Sequence, residues 1–198
     1  TTIWRRFRKN RLATVAFLYL LVAYLAALLT PVIAPYEPDA ISLGDKFVGI
    51  SSEHWLGTDH LGRDTLSRLL FGARVSLSIG LVAMGIAMVV GTSVGLVAAY
   101  LGGPVGAILM RLTDGWMSIP LFFVLLVAMT GFSRSLLTIM VVIGLTRWMV
   151  PARVVRSEVL KVNQEEFVIA SESIGASRLR VLITHLLPQA IPSMLVAA

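Results

Sequence analysis

The sequence predicts an all-α fold, a polytopic membrane helix bundle, from three observations. Of the 198 residues, 57% are hydrophobic and only 14% charged, with a mean hydropathy of +0.84, whereas a soluble domain is about a quarter charged. The apolar residues are gathered into long uncharged runs, 12–36, 75–110, 115–133 and 135–146, with a last run, 181–198, interrupted only by His185. A helix crosses the hydrocarbon layer with about 20 such residues. The basic residues lie between the runs, in one cluster of Arg5, Arg6, Arg8, Lys9 and Arg11 and another of Arg147, Arg153, Arg156, Lys161, Arg178 and Arg180. A net charge of +6 placed this way fits a membrane boundary and argues against a nucleic-acid partner, which needs one solvated basic face.

Residues 1–198 read as a single transmembrane domain. The first span covers about 12–34; it is too long for a signal peptide and has no convincing cleavage site before Pro35. Both basic clusters place the N-terminus in the cytoplasm. Segment 35–74, which mixes Glu37, Asp39, Asp45, Glu53, Asp59 and Asp64 with Lys46, Arg63, Arg68 and Arg74, is then extracytoplasmic. The second span covers 75–101, a short link 102–114 returns inside, and the third span covers 115–131. The fourth, 135–151, borrows residues beyond Arg147, whose stem can snorkel to the interface. A cytoplasmic loop fills 152–188, and a fifth span starts at about 189.

That loop carries "EEFVIASESIGASRLRVLITHLLP" and reads as two short helices. Asn163 and Glu166 have the spacing of a capping box, and Glu165 and Glu166 suit the positive end of a helix dipole. Phe167, Ala170 and Ile174 share one face. Gly175 suits a left-handed C′ position and Ser177 the next N-cap. Leu179, Leu182, Ile183 and Leu186 repeat the helical period; Pro188 resets the chain, and Pro192 kinks or starts the next segment. The pattern alone fits either a surface helix or a knob offered to a partner's groove.

Other residues are weighed by their context. Ala83, Ala87, Gly91, Gly95 and Ala99 recur every four positions, a stripe along which helices approach closely in lipid. Residues 91–95 also match G-x-S-x-G, but that elbow needs a strand, a turn and a His/acid pair, and this stretch lies in mid-span. An intramembrane hydrolase would need Ser and His at matched depth, so no catalytic residue is assigned. His54, His60, Glu53 and Asp59 have no metal-ligand spacing, so no metal or cofactor is expected. Asp59, Arg63 and Asp64 read as local caps and ion pairs, and Asp114 as a partner of Arg111 or a helix cap. There is no cysteine and no Walker A motif.

Ala170, Gly175 and, thirteen residues on, Leu187-Pro188 resemble the cytoplasmic "EAA" loop of ABC importer permeases. Ile169-Ala170-Ser171 stands for the Glu-Ala-Ala triplet and His185 for the usual Ile. "HWLGTDHLGRDTLSRLLFGARVSL", 54–77, which contains Gly57, Thr58, Asp59, Gly62, Arg63 and Asp64, resembles the extracytoplasmic signature of the peptide/nickel branch. "FRKNRLA", 7–13, resembles that branch's C-type subunit, and the stretch around Trp148, Ala152, Arg153 and Arg156 fits as well, with Pro151 where an aromatic is common. The resemblance implies the transmembrane domain of a type I ABC importer. It implies a second permease subunit, two ATP-binding subunits that carry the hydrolysis, and an extracytoplasmic substrate-binding protein. It further implies an ATPase-coupling loop built on Glu166, Phe167, Ala170, Ser171, Gly175, Ala176, Ser177, Leu187 and Pro188. Family members continue for about two more spans, so the chain is expected to be a fragment, incomplete mainly at its C-terminus. A membrane channel or adaptor without an ATPase is the other reading, and the glycine-hinged loop argues against it.

Overall fold

The structure, a computed structural model, describes residues 10–173 and 175–197. Among them the regular structure is entirely helical, apart from one isolated bridge between Thr58 and Asp64. The chain divides into two compact units, residues 1–78 and 79–198.

In the first unit, α1 spans Arg11–Ile33. Asn10 caps it, its side chain accepting from the Ala13 N–H at 3.2 Å. The basic residues at positions 5, 6, 8 and 9 lie outside the described residues. Side chains such as Leu12, Leu18 and Val22 are exposed all around α1, as lipid-facing residues are. The buried exceptions are Ala27 and Thr30, and the Thr30 hydroxyl donates to Ala26 O at 2.9 Å and lies 3.4 Å from Leu70 O of the next long helix. A short 3-10 turn, Leu43–Asp45, and irregular chain lead to α2, Thr65–Leu101.

α2 has 37 residues, so it starts well before the span expected at 75. At 1.5 Å per residue it is about 55 Å long, against about 30 Å of hydrocarbon. Its first turns carry Arg68 and Arg74, charges that hydropathy reads as loop. The early start comes from Asp64, which accepts the Ser67 N–H at 2.7 Å as an N-cap does.

In the second unit, α3 is Gly103–Met117 and α4 Leu121–Gly131, the two bent by 81°. Residues 103–114, expected as a link, are therefore helical. The span expected at 115–131 is broken at 118–120. Pro104 opens α3, where a missing N–H is harmless. Pro120 causes the break: it removes a donor and drives the residue before it out of the helical region. α5, Leu136–Arg147, is capped by Ser135, which accepts the Thr138 N–H at 3.2 Å. α6, Met149–Val162, follows through a helical Trp148. Together they form a 27-residue stretch long and apolar enough to cross a membrane, so helix persists well past residue 151.

The remaining elements are α7, Glu166–Ser173, and α8, Arg178–Val181, then a π turn, Leu182–Leu186, running into α9, Leu187–Ala197. The core of this unit gathers Val155, Val159 and Val162 of α6, Val168 of α7, Val181, Leu182 and Leu186, and Ala190 and Met194 of α9.

Candidate functional site

Local chemistry builds the α6–α9 assembly. Asn163 does not cap α7 as its spacing suggests. Its N–H donates to Val159 O at 2.9 Å and it closes α6 in a helical conformation. The Glu165 N–H donates to Val162 O at 3.0 Å, so the chain turns tightly and leaves Glu166 to open α7. Gly175 stands at φ +92°. Beside it the Ala176 N–H donates to Ser171 O at 3.1 Å, the six-to-one bond of a Schellman motif. Ser177 begins α8: its carbonyl accepts the Val181 N–H at 3.1 Å, and its hydroxyl oxygen lies 3.4 Å from the Arg180 nitrogen.

The side chains sort α7 into an anchored and an open side. Val168 is 1% exposed and joins the core; Glu166 and Phe167 are exposed, Phe167 at 40%. Ser171 is half-buried and its hydroxyl donates to Phe167 O at 2.7 Å. Ala176 packs against the core. Ile174 and the side chain of Ala170 lie outside the described residues, so the stripe expected of Phe167, Ala170 and Ile174 rests here on Phe167 alone.

Beyond α8, Pro188 does not reset the chain, and α9 runs through Pro188 and Pro192. The Leu187 N–H donates to Leu182 O, five residues back. This widened turn gives the proline ring room against the preceding carbonyl and compensates for the donor it lacks. Leu187 is half-buried and Pro188 exposed. The loop thus feeds α9 without an intervening break. α9 packs back on α6, where Ser193 Oγ donates to Glu158 Oε1 at 3.1 Å.

The small-residue stripe of α2 lies against α5 and α6. Ala83 and Ala87 are buried, as are Gly91 and Gly95, and Ala99 packs on the core. A Cβ on Gly91 would stand 2.5 Å from Trp148 O, and one on Gly95 2.5 Å from Ala152 O. Gly144 of α5 returns the fit: its Cβ would meet Ile86 at 2.7 Å. The α2 backbone therefore sits directly on α6, upstream of the coupling-loop candidates. The 91–95 stretch is mid-helix, which removes the elbow geometry of G-x-S-x-G.

In the first unit the signature residues knit one loop. Asp59 accepts N–H bonds from Leu61 at 2.8 Å and Arg63 at 3.1 Å, and pairs with the guanidinium groups of Arg63 at 2.8 Å and Arg68. Thr58 Oγ1 accepts from the Val48 N–H at 2.9 Å and donates to Asp45 O. Gly57 and Gly62 have positive φ, and a Cβ on Gly62 would fall on Ser42 O. Asp64 is buried at 3% exposure, caps α2, and lies 2.9 Å from His54 Nδ1; the Tyr36 ring packs tilted against His54, their centroids 5.0 Å apart. Among the described residues no three His, Asp or Glu side chains form a metal site.

Desolvation opposes charge on both acids, but their partners prevail. The Arg63 guanidinium and the Leu61 and Arg63 N–H groups hold the Asp59 carboxyl well below the ordinary value of 3.8. The Ser67 N–H and His54 lower Asp64. A lowered folded pKa stabilises above the unfolded value and is lost as pH falls through the folded one. The loop should therefore be equally protected at pH 7 and pH 5 and loosen below about 4. Asp64→Asn should flatten that acid limb and leave the loop less protected at neutral pH. Hydrogen exchange of amides 57–67, corrected for intrinsic rate, reads this out, and an unchanged acid limb would remove Asp64 as its cause.

Residues 91–198 match the family model described as the binding-protein-dependent transport system inner membrane component. The chain belongs to this family. Residues 1–49 match the N-terminal transmembrane domain of oligopeptide transport permease C. The chain is 36% identical over 193 residues to the dipeptide transport system permease protein of Bacillus subtilis (strain 168), covering 98% of this chain and 60% of that protein. It is 33% identical over 199 residues to the oligopeptide transport system permease protein of the same strain, covering 98% and 65%. It is 40% identical over 168 residues to the nickel transport system permease protein of Escherichia coli (strain K12), covering 83% and 59%. The chain thus spans about 60% of the length of these curated relatives. Its all-α fold is that of a type I ABC importer transmembrane domain, and the family is one of multi-pass inner-membrane proteins.

Three features of this family member escape sequence reading. Val168 ties α7 to the core; the β-branched Val155, Val159 and Val162 at helical spacing were its signal. Asp114 pairs with Arg153 of α6, not with Arg111 three residues away. The π turn before Pro188 has no sequence mark beyond the proline itself.

Proposed function

We propose that this chain is part of a permease subunit of an ATP-binding-cassette importer. It forms half of a translocation pathway for peptides, or for nickel or related small solutes, and receives the force of ATP hydrolysis through 166–188. One observation carries this reading. A short helix with an exposed aromatic, Phe167, and an exposed acid, Glu166, is pinned to the core by Val168, and the glycine turn after it leads into α8, whose helix runs on through the π turn into α9. A groove in a partner that grips α7 would move α6 and α9 together. The substrate class is taken from the relatives named for dipeptide, oligopeptide and nickel transport.

The proposed partners are a second permease subunit, two ATP-binding subunits, an extracytoplasmic binding protein and the lipid bilayer. In the proposed orientation α7 faces the cytoplasm and the 35–64 loop faces the binding protein. An impermeant thiol label at Asn163→Cys should react only from the cytoplasm and one at Ser52→Cys only from outside. The full-length permease should also copurify with its ATPases. Labelling of both positions from one side rejects the orientation, and a functional transporter without an ATPase rejects the importer reading in favour of a channel or adaptor.

A further inference from the structure

Among the described residues, the groove between α3 and α6 holds one more cation than anions. Met110 and Asp114 of α3 and Arg153, Arg156, Ser157 and Leu160 of α6 line a cavity of about 340 Å³. Arg153 pairs with Asp114. Arg156 is half-buried, its Nε is fully buried with no hydrogen-bond partner, and none of the ion pairs among the described residues includes it. A guanidinium stays charged and offers five N–H donors in a rigid fork. Burying it without a counter-charge is costly, so an unpaired one in a cavity points to an acceptor that the described residues do not supply.

The groove describes that acceptor. Two guanidinium charges less one carboxylate leave one positive charge, which suits a single phosphodiester. A guanidinium fork matches phosphate oxygens with charge-assisted bonds. Met110 and Leu160 give the same cavity an apolar wall. α6 continues a stretch apolar enough to cross a membrane and α3 belongs to the bent pair, and the arginines sit where that apolar stretch gives way to charge, as at a membrane boundary.

We propose that this groove binds the phosphate headgroup of an anionic phospholipid, with Arg156 as its cation and Met110 and Leu160 against the start of an acyl chain. Basic pockets between membrane helices take such headgroups. The site is independent of the coupling role assigned to α7.

The test is native mass spectrometry of the full-length permease complex with added phosphatidylglycerol or phosphatidylcholine. The wild type should retain phosphatidylglycerol preferentially, and Arg156→Gln should reduce that retention about tenfold, the loss expected for a charge-assisted hydrogen bond. Ser157→Asp, at an exposed position, keeps Arg156 but adds a negative charge, and should reduce retention as well; it serves if Arg156→Gln fails to fold. Millimolar inorganic phosphate should leave the lipid bound; displacement by it would make this a free-phosphate site and overturn the lipid assignment. Retention unchanged in both variants overturns the proposal. So does release of a partner subunit by Arg156→Gln with lipid retention intact, which would make the missing anion a partner's carboxylate.

Discussion

Replacing Gly91 and Gly95 together with Leu should dismantle the second unit, the largest stability effect expected in this chain. Both glycines face backbone, not movable side chains: a Cβ on the first would stand 2.5 Å from Trp148 O, and one on the second 2.5 Å from Ala152 O. Even alanine would push α2 away from α6, and leucine cannot escape by rotating, because the clash begins at Cβ. Overpacking of this kind costs about 1–3 kcal/mol per site. The two positions are one turn apart against one helix, so the costs are coupled and need not add. Separation of α2 would also strip packing from Met88, Leu96 and Ala99, which lie on the valine core. The measurement is the thermal unfolding of the purified full-length protein together with recovery of assembled complex. Unchanged stability and assembly in the double variant would mean that this face of α2 does not pack on α6.

Gly175→Val should release the ATPases and abolish transport while leaving membrane insertion intact. The cause is conformational, since nothing lies within 4 Å of a Cβ built there, while φ is +92°. A β-branched residue at such an angle is strained by about 1–3 kcal/mol. Relief requires the Schellman turn to open, which frees Ser171 O from the Ala176 N–H and lets α7 swing relative to α8. Phe167→Ala tests the other half of the proposed contact. Phe167 is 40% exposed, and an aromatic anchor at the centre of an interface is worth about 2 kcal/mol or more. Copurification of the full-length permease with its ATPases, and transport in vesicles, read both variants. If both keep ATPase and transport at wild-type levels, α7 is a surface helix and the coupling proposal is wrong.

The fold class and the local punctuation are legible in the residues alone. Long uncharged runs can only be satisfied as helices in lipid, where each backbone polar group must be paired within its own segment. Asp59, Arg63 and Asp64 are close in sequence, and their ion pairs and cap are short-range consequences of that spacing. Gly175 and Ser177 likewise mark their turns by residue chemistry alone. The stripe from Ala83 to Ala99 announces a close helix contact without naming the partner.

Long-range packing determines the rest. Hydropathy cannot see that α2 begins at Thr65, because arginines near a helix start are read as loop although Asp64 has already capped the helix. It cannot see that Pro120 breaks an apolar run into two helices at 81° while Pro188 lets a helix continue. Both prolines lack the same N–H, and only the carbonyl geometry on the preceding turn separates a break from a widened turn. Nor can spacing choose between Arg111 and Arg153 for Asp114, or between Phe167 and Val168 as the residue facing inward. Those choices depend on which helix lies alongside, and contacts among α2, α3, α6 and α9 make them between residues that sequence separation does not bring together.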